Sequence, residues 1–262
     1  MIRAGVVGHV EWVDFAVVER LPVPGEILHA GQHFAEAAGG GGVAAVQMRR
    51  LLGAAAFWTA VGDDGHGRAA VERLGDVHGV DLHAARRPRE QRRCFTYLDA
   101  AHERTITVLG PRLVPHGEDP LPWEALRELD AVYVTGGDAH AIRAARAARV
   151  VVATPRALPA LAEAHIELDA LVASATDPGE RVADGELDPP PRLVVRTRGG
   201  SGGAWAAHEG RTGTWRASPR PARRSTPTVP ATRSPPPSRS RSGRAATSTT
   251  RSPTPPAAAP LA

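Results

Sequence analysis

The 262-residue sequence predicts an α/β fold: a mostly parallel central sheet flanked by helices, with a small second β-sheet projecting from it. Three observations carry that expectation. Short apolar runs alternate with segments of helical spacing through roughly the first 200 residues. Those runs are continuous in hydrophobicity, as strands buried on both faces are. Two further stretches break the rhythm with short strands joined by turns and no helix between them.

Taken in order, "RAGVVGHV" is the first buried strand. "WVDFAVVERLPVPGEILHAGQHFAEA" is the first of the helix-free stretches. Four glycines then stand immediately before a helix, "VAAVQMRRLLG", which Gly53 closes as a C-cap. "AAAFWTAVG" reads as a strand and "GRAAVERLGDVHG" as an amphipathic helix. "RRCFTYLDAAHERTITVL" is the second helix-free stretch. Helix and strand then alternate: "PWEALRELD" with "AVYVTGG", "AHAIRAARAA" with "RVVVAT", and "LPALAEA" with "LDALVAS". "RLVVRTRGG" is one more strand, running into a glycine turn. This alternation calls for helices on both faces of a parallel sheet. After Trp215 all periodicity stops, and no fixed-length repeat is visible.

Composition narrows the function classes. Apolar residues make up 42%, enough for a core, with only 4% aromatic. The single cysteine, Cys94, precludes an intrachain disulfide and fits a reducing cytosol. The opening "MIRAGVVGHVEW" lacks the long apolar region of a signal peptide, and no stretch is long enough for a membrane span, so a soluble cytoplasmic protein is expected. The net charge of +4 is unevenly spread. Ala217–Ala262 holds eight Arg, eleven Pro and no acid, so the first 216 residues carry +4 − 8 = −4. Every basic charge is Arg, and Asn is absent as well. Lys and Asn codons are A-rich, so the gene is GC-rich.

A run of glycines before a helix lets a ligand approach the backbone and aims free N–H groups at it. "LPVPGEILHA" precedes this run, "AVGDDGHG" follows it and "HERTITV" comes later. In that order the segments resemble the carbohydrate kinases of the ribokinase (PfkB) family. "PVPGE" is similar to the family's P-x-P-G-E turn, and Gly39, Gly40 and the helix to Gly53 to its first signature. "VGDDGHG" is similar to V-G-x-D-x-x-G, and "ERTI" to the G-E-R-T-I of the family's lid. Thr197, Gly199 and Gly202 match T-x-G-x-x-G, which in the family lies beside the nucleotide. The resemblance covers roughly residues 3 to 216.

The resemblance implies a ribokinase-like kinase domain over 1–216, with lid segments at about 12–36 and 92–108. It implies phosphoryl transfer from ATP, with Mg2+, to a hydroxyl of a sugar or sugar-like alcohol held between sheet and lid. Such chemistry needs positioning, neutralised phosphate charge and a base for the attacking hydroxyl. A homodimer is one assembly left open. Asp14 is the nearest counterpart of the acid that grips the acceptor, with Glu11 second and the register uncertain by one residue. Two departures from the pattern come before the C-terminal segment. Ala44 stands where the family usually has an Asn that holds acceptor hydroxyls. In the N-x-x-E segment near the metal, "SATD" places Ser174 and Asp177. The acceptor of well-known members therefore does not carry over.

The third departure is larger. The family's second signature, approximately D-T-x-G-A-G-D-x-F, supplies an anion hole and the catalytic Asp. No "GAGD" occurs in this chain, and "STPTVPATRS" stands at the expected place, with Thr232 at the position of the base. The genetic code suggests why. If each true codon joins the last base of one codon to the first two of the next, Ser225 to Ser234 permit V-D-T-Y-G-A-G-D-S-F. Downstream, "PPPSRSRSG" permits A-A-A-L-A-L-A-L-G and "TSTTRSP" permits D-V-D-D-A-L-A. The expectation is that the reading frame slips near Ala217 to Arg220, leaving residues 217–262 an out-of-frame remnant of the catalytic and C-terminal helices. The alternative is a genuine disordered tail, since Pro- and Arg-rich sequence without aromatics buries too little surface to offset its ordering entropy. On that view the chain is a non-catalytic relative that binds a sugar or nucleotide. Nucleic-acid binding is disfavoured, because the tail has neither Lys nor a stacking aromatic.

Other candidates read as structural. Eleven histidines show no H-x-H, H-E-x-x-H or Cys/His cluster, so no metal is expected to bind them. Cys94, beside Phe95 and Tyr97, reads as a buried inert thiol. "DDGHG" reads as a turn into a helix, and "RRPREQRR" as a solvated loop before a lid strand.

Overall fold

A computed structural model describes residues 2–101, 103–183 and 185–218; the expected tail from Pro219 onward, Thr232 included, lies outside the described residues. The chain enters through β1 (Ala4–Val7), passes to β2 (Glu11–Val17) and β3 (Gln32–Ala38), and returns by α1 (Gly39–Leu52) to β4 (Ala56–Gly62). Helix α2 (Gly65–Glu72) widens into a π-helical turn over Arg73–Val77 and leads to β5 (Asp81–Arg87). Strands β6 (Arg93–Leu98) and β7 (Arg104–Leu109) follow. The next elements alternate: β8 (Ala131–Val134), α3 (Ala139–Ala145), β9 (Val150–Ala153), α4 (Leu158–Ala164) and β10 (Ala170–Ser174). The described part closes with β11 (Leu193–Thr197), β12 (Gly203–Ala207) and β13 (Thr212–Trp215).

Nine strands form one sheet in the order β13-β12-β11-β10-β9-β8-β1-β4-β5. From β11 to β5 the pairing is parallel, and β12 and β13 add an antiparallel edge. Consecutive side chains on a strand point to opposite faces. Val6 and Phe57 accordingly join a core under α1 and α2, while their neighbours Val7 and Trp58 join a larger core with α3 and α4. That is the fold class expected from unbroken apolar runs.

The helix-free stretches build the second sheet, four strands in the order β3-β2-β6-β7. Its strands reach slightly beyond the expected bounds, over 11–38 and 93–109. Val13, Ala38 and Cys94 form a small core on it, with Phe15 packed alongside.

Five expectations need correction. The four glycines do not precede α1; Gly39 to Gly42 form its first turn. That turn presses on the sheet so closely that a Cβ on Gly41 would sit 2.7 Å from both the Phe57 ring and the His9 carbonyl. "PWEALRELD" is a 3-10 segment over Trp123–Glu128 rather than an α-helix, and β8 begins at Ala131. β5, "DLHAARR", carried no strand signal because it is an edge strand with little apolar alternation. The β12–β13 hairpin was likewise not foreseen. "RRPREQRR" is only partly a solvated loop. Arg87 pairs in bidentate fashion with Asp119, at 2.6 and 2.7 Å, and Gln91 is buried, bonding Gly62 N and Val10 O.

Candidate functional site

In open parallel sheets the ligand crevice lies beyond the carboxyl ends of the strands, where the winding reverses. Here β1 sits between β8 and β4, so the chain leaves it in opposite directions, and the reversal lies between β1 and β8. The two loops meet closely. A Cβ on Gly8 would lie 1.9 Å from Thr135 Oγ1, so only glycine permits this approach. His9 follows, 5% exposed, and its Nε2 accepts the Gly40 N–H at 3.3 Å. Burial, and next the nearby Arg112, lower its pKa to about 4. His9 is therefore a neutral acceptor that pins the glycine turn, with Gly39 at a left-handed φ of 75°.

Between this turn and the four-stranded sheet opens a cleft of about 570 Å3, with Glu11, Gly39, Gly40, Ala44, Gln47 and Arg104 among its lining residues. Val13 and Phe15 also line it, as the two-residue period of β2 requires of the face that carries Glu11. Asp14 falls on the other face. It does not line the cleft, and its carboxylate lies 3.8 Å from His33 Nε2. The structure thus brings the second sequence candidate, Glu11, together with Gly39 and Gly40, and turns the first away.

The Glu11 carboxylate is 14% exposed and held from several sides. Arg92 Nε lies 2.7 Å from Oε1 as an ion pair whose angle falls outside a hydrogen bond. Cys94 Sγ donates to Oε2 at 3.4 Å, and His9 Nε2 lies 3.8 Å from Oε1. Burial, and then the Glu11 charge, push the Cys94 thiol up to about 12, which makes it a poor nucleophile. Gln47 escaped the sequence reading. It sits three residues after Ala44 on α1, so both meet the cleft.

Farther along the strand ends, Thr197 closes β11 and its Oγ1 donates to Ala173 O at 3.4 Å. Gly199 and Gly202 both have left-handed φ, 53° and 89°. A Cβ on Gly202 would lie 2.1 Å from Trp215 O, whereas Gly199 and Gly200 face open space. Ser174 Oγ accepts the N–H groups of Thr176 and Asp177. Asp177 and Glu180 both pair with Arg156, and Glu180 Oε2 also accepts the Ser174 N–H at 2.7 Å. Glu180 and Arg156 were not singled out in the sequence; only the fold brings them to Ser174.

The residues fit a nucleotide better than a resident metal. The open Gly199–Gly200 backbone would admit a flat ligand, while no group of three or more His, Cys, Asp or Glu capable of holding a metal occurs among the described residues. Mg2+ commonly uses one or two carboxylates plus substrate phosphates, and Asp177 and Glu180 are the carboxylates at hand. No helix among the described residues is long and apolar enough to cross a membrane.

No curated protein matches the chain by sequence. Solved structures do match its fold. A putative ribokinase from Agrobacterium tumefaciens superposes with a TM-score of 0.66 at 20% identity, over 83% of this chain and 77% of that one. Arabidopsis thaliana ribokinase complexed with ribose and ATP gives 0.59 at 18%, over 84% and 79%. Phosphofructokinase-2 from Escherichia coli in complex with fructose-6-phosphate gives 0.59 at 16%, over 85% and 82%. Residues 1–228 match the family described as pfkB family carbohydrate kinase. With the parallel sheet, the projecting four-stranded sheet and the cleft between them, this match establishes that the chain belongs to the pfkB family of carbohydrate kinases.

Proposed function

We propose that this chain derives from a kinase that transfers the γ-phosphoryl group of ATP, with Mg2+, to a hydroxyl of a sugar or sugar-like alcohol. The observation that carries the reading is Glu11, whose partly buried carboxylate lines the cleft beside the Gly39–Gly40 turn. Glu11 holds acceptor hydroxyls there, and the glycine turn lets the acceptor lie against backbone. Asp14 takes no part, since it lies on the far face of β2. Thr197, Gly199 and Gly202 border the nucleotide, with Asp177 or Glu180 toward its metal-bound phosphates. The lid sheet has an exposed edge strand, β7, and a homodimer through it is compatible with that exposure.

The catalytic base is missing from the sequence as written. Thr232, at its apparent position, is not a base at neutral pH. Loss of base and anion hole together is expected to cost several orders of magnitude, about a hundredfold or more for each. The frame-slip reading gains support from the end of the sheet. β11 and β12 are half-buried, and β13 at the sheet's edge is mostly exposed. Among the described residues no α-helix follows β10. The shifted frame would supply an Ala- and Leu-rich helix at that point.

Resequencing the gene from about codon 205 onward tests the frame: a one-base shift that opens "GAGD" supports the reading, and an unchanged frame overturns it. The restored product should then release ADP in the presence of ATP and a sugar panel, while the chain as written should not. Tight nucleotide binding by the chain as written would instead favour the non-catalytic relative with a genuine tail.

A further inference from the structure

The four-stranded sheet meets the cleft in rows, because residues paired across neighbouring strands share a face. Glu11 heads the face beside Ala38. Two residues on, Val13 lies beside Cys94, which faces Val108. Glu36 also pairs with Val13, but its carboxylate is taken by Arg73 and His78. In the next row Phe15 lies between Phe34 and Thr96, and Thr96 faces Ile106. The row after that ends in Arg104, opposite Leu98. Charge therefore stands at the two ends of this wall, with apolar side chains between. Thr96, whose hydroxyl lies in that middle stretch, is 1% exposed. The Phe15 ring is braced by Phe34, their centroids 4.8 Å apart and their planes 14° apart. Val13, Phe15 and Ile106 line the cleft from the sheet, and Val43 lines it from α1. Ile106 and Val43 are 51% and 58% exposed. Single exposed apolar side chains are ordinary, but these border one concavity.

We propose that the acceptor is a sugar or sugar-like alcohol bearing a flat apolar ring, of the aryl glycoside kind, with its hydroxyls at Glu11 and its ring on Phe15 and Ile106. This rests on the reading of Glu11 as the acceptor's hydroxyl ligand. Four residues of strand, about 13 Å, separate Glu11 from Phe15. A single sugar ring held at Glu11 therefore leaves Phe15 and Ile106 uncovered. Further hydroxyls pressed on that strip would give up water without gaining a partner, whereas an apolar ring releases water from both surfaces. A flat ring also suits the braced face of Phe15, since aromatic rings pack by offset stacking or edge to face. The cleft volume of about 570 Å3 falls in the range of pockets that enclose ligands larger than one sugar.

Calorimetric titration of the full chain tests this with the methyl and phenyl β-glycosides of ribose and of glucose. For at least one sugar the phenyl glycoside should bind at least about tenfold tighter than the methyl glycoside. Ile106→Thr and Val43→Thr change exposed side chains and keep β-branching, so the fold should survive them. Each should reduce the phenyl preference and leave the methyl glycoside's affinity unchanged. Equal affinities for phenyl and methyl glycosides of both sugars, or no binding of any of the four, overturn the proposal. A proportional loss of both glycosides in the variants also overturns it, since that is what a merely structural role would give. Sedimentation velocity covers the remaining occupant. A dimer that Ile106→Thr dissociates, in a chain without phenyl preference, assigns the strip to a second copy and ends the proposal. Glu11→Gln separates the underlying reading. If it weakens every glycoside while the parent shows no phenyl preference, the hydroxyl role stands and the ring site falls. If the phenyl preference and all affinities survive Glu11→Gln, the ring site stands and the hydroxyl role falls.

Discussion

Acid should loosen this fold through His9 in a way that can be separated from general acid denaturation. His9 is buried at the β1–β8 reversal and accepts the Gly40 N–H, a role only the neutral ring can fill. Its folded pKa of about 4 lies below the ordinary 6.5, so between those values the unfolded chain binds a proton that the folded chain refuses. Stability from this residue is therefore complete above about pH 6.5 and is lost as pH falls toward about 4. At about 1.4 kcal/mol per pH unit, that interval is worth about 3 kcal/mol. Arg112 and Arg92 press in the same direction as burial, and Glu11 opposes them. His9→Gln keeps an acceptor for Gly40 without titrating. Denaturant unfolding of parent and variant from about pH 7 to about pH 4 isolates the effect, because carboxylates such as Glu36 and Asp169, held low by arginine partners against their burial, cancel in the difference. The parent's stability relative to the variant should fall by about 3 kcal/mol across that window. A difference independent of pH would refute the reasoning.

Other outcomes follow from single contacts. Glu11→Gln should abolish measurable sugar binding, while Asp14→Asn should leave it unchanged; the reverse result in titration calorimetry would reassign the acceptor's ligand. Gly41→Ala should cost about 1–3 kcal/mol or more in denaturant unfolding, because its Cβ would meet the Phe57 ring and the His9 carbonyl at 2.7 Å. Cys94 should resist a disulfide reagent near pH 8 in the native protein and react rapidly in denaturant, since its thiol is pushed up to about 12. Rapid native reaction would mean that the thiol is neither buried nor held by Glu11.

Some of this architecture is written directly in the chain. Unbroken apolar runs such as "AGVV" and "AVYV" encode strands covered on both faces, and Gly53 ends α1 with the left-handed φ of 83° that a C-cap takes. These are local properties, governed by periodicity and by which residue tolerates which backbone angle. The order of the glycine, V-G-x-D-x-x-G and T-x-G-x-x-G segments likewise points to the family by sequence alone. β5 and the β12–β13 edge were not legible. An edge strand is held by pairing with a distant neighbour, and "DLHAARR" carries little apolar alternation of its own.

The candidate site was decided by tertiary structure for the same reason. Asp14 and Glu11 look equivalent along the chain, but the two-residue period of β2 sends them to opposite faces, and only pairing with β3 and β6 determines which face meets the cleft. His9, Arg92 and Arg112 come from three separate loops, so the neutral imidazole has no local signature. The charge state of His9 follows from burial and from neighbours far away in sequence. The sequence alone determined which backbone segments could form a kinase-like frame. Which side chains meet in its crevice, and with what charge, is a property of long-range packing.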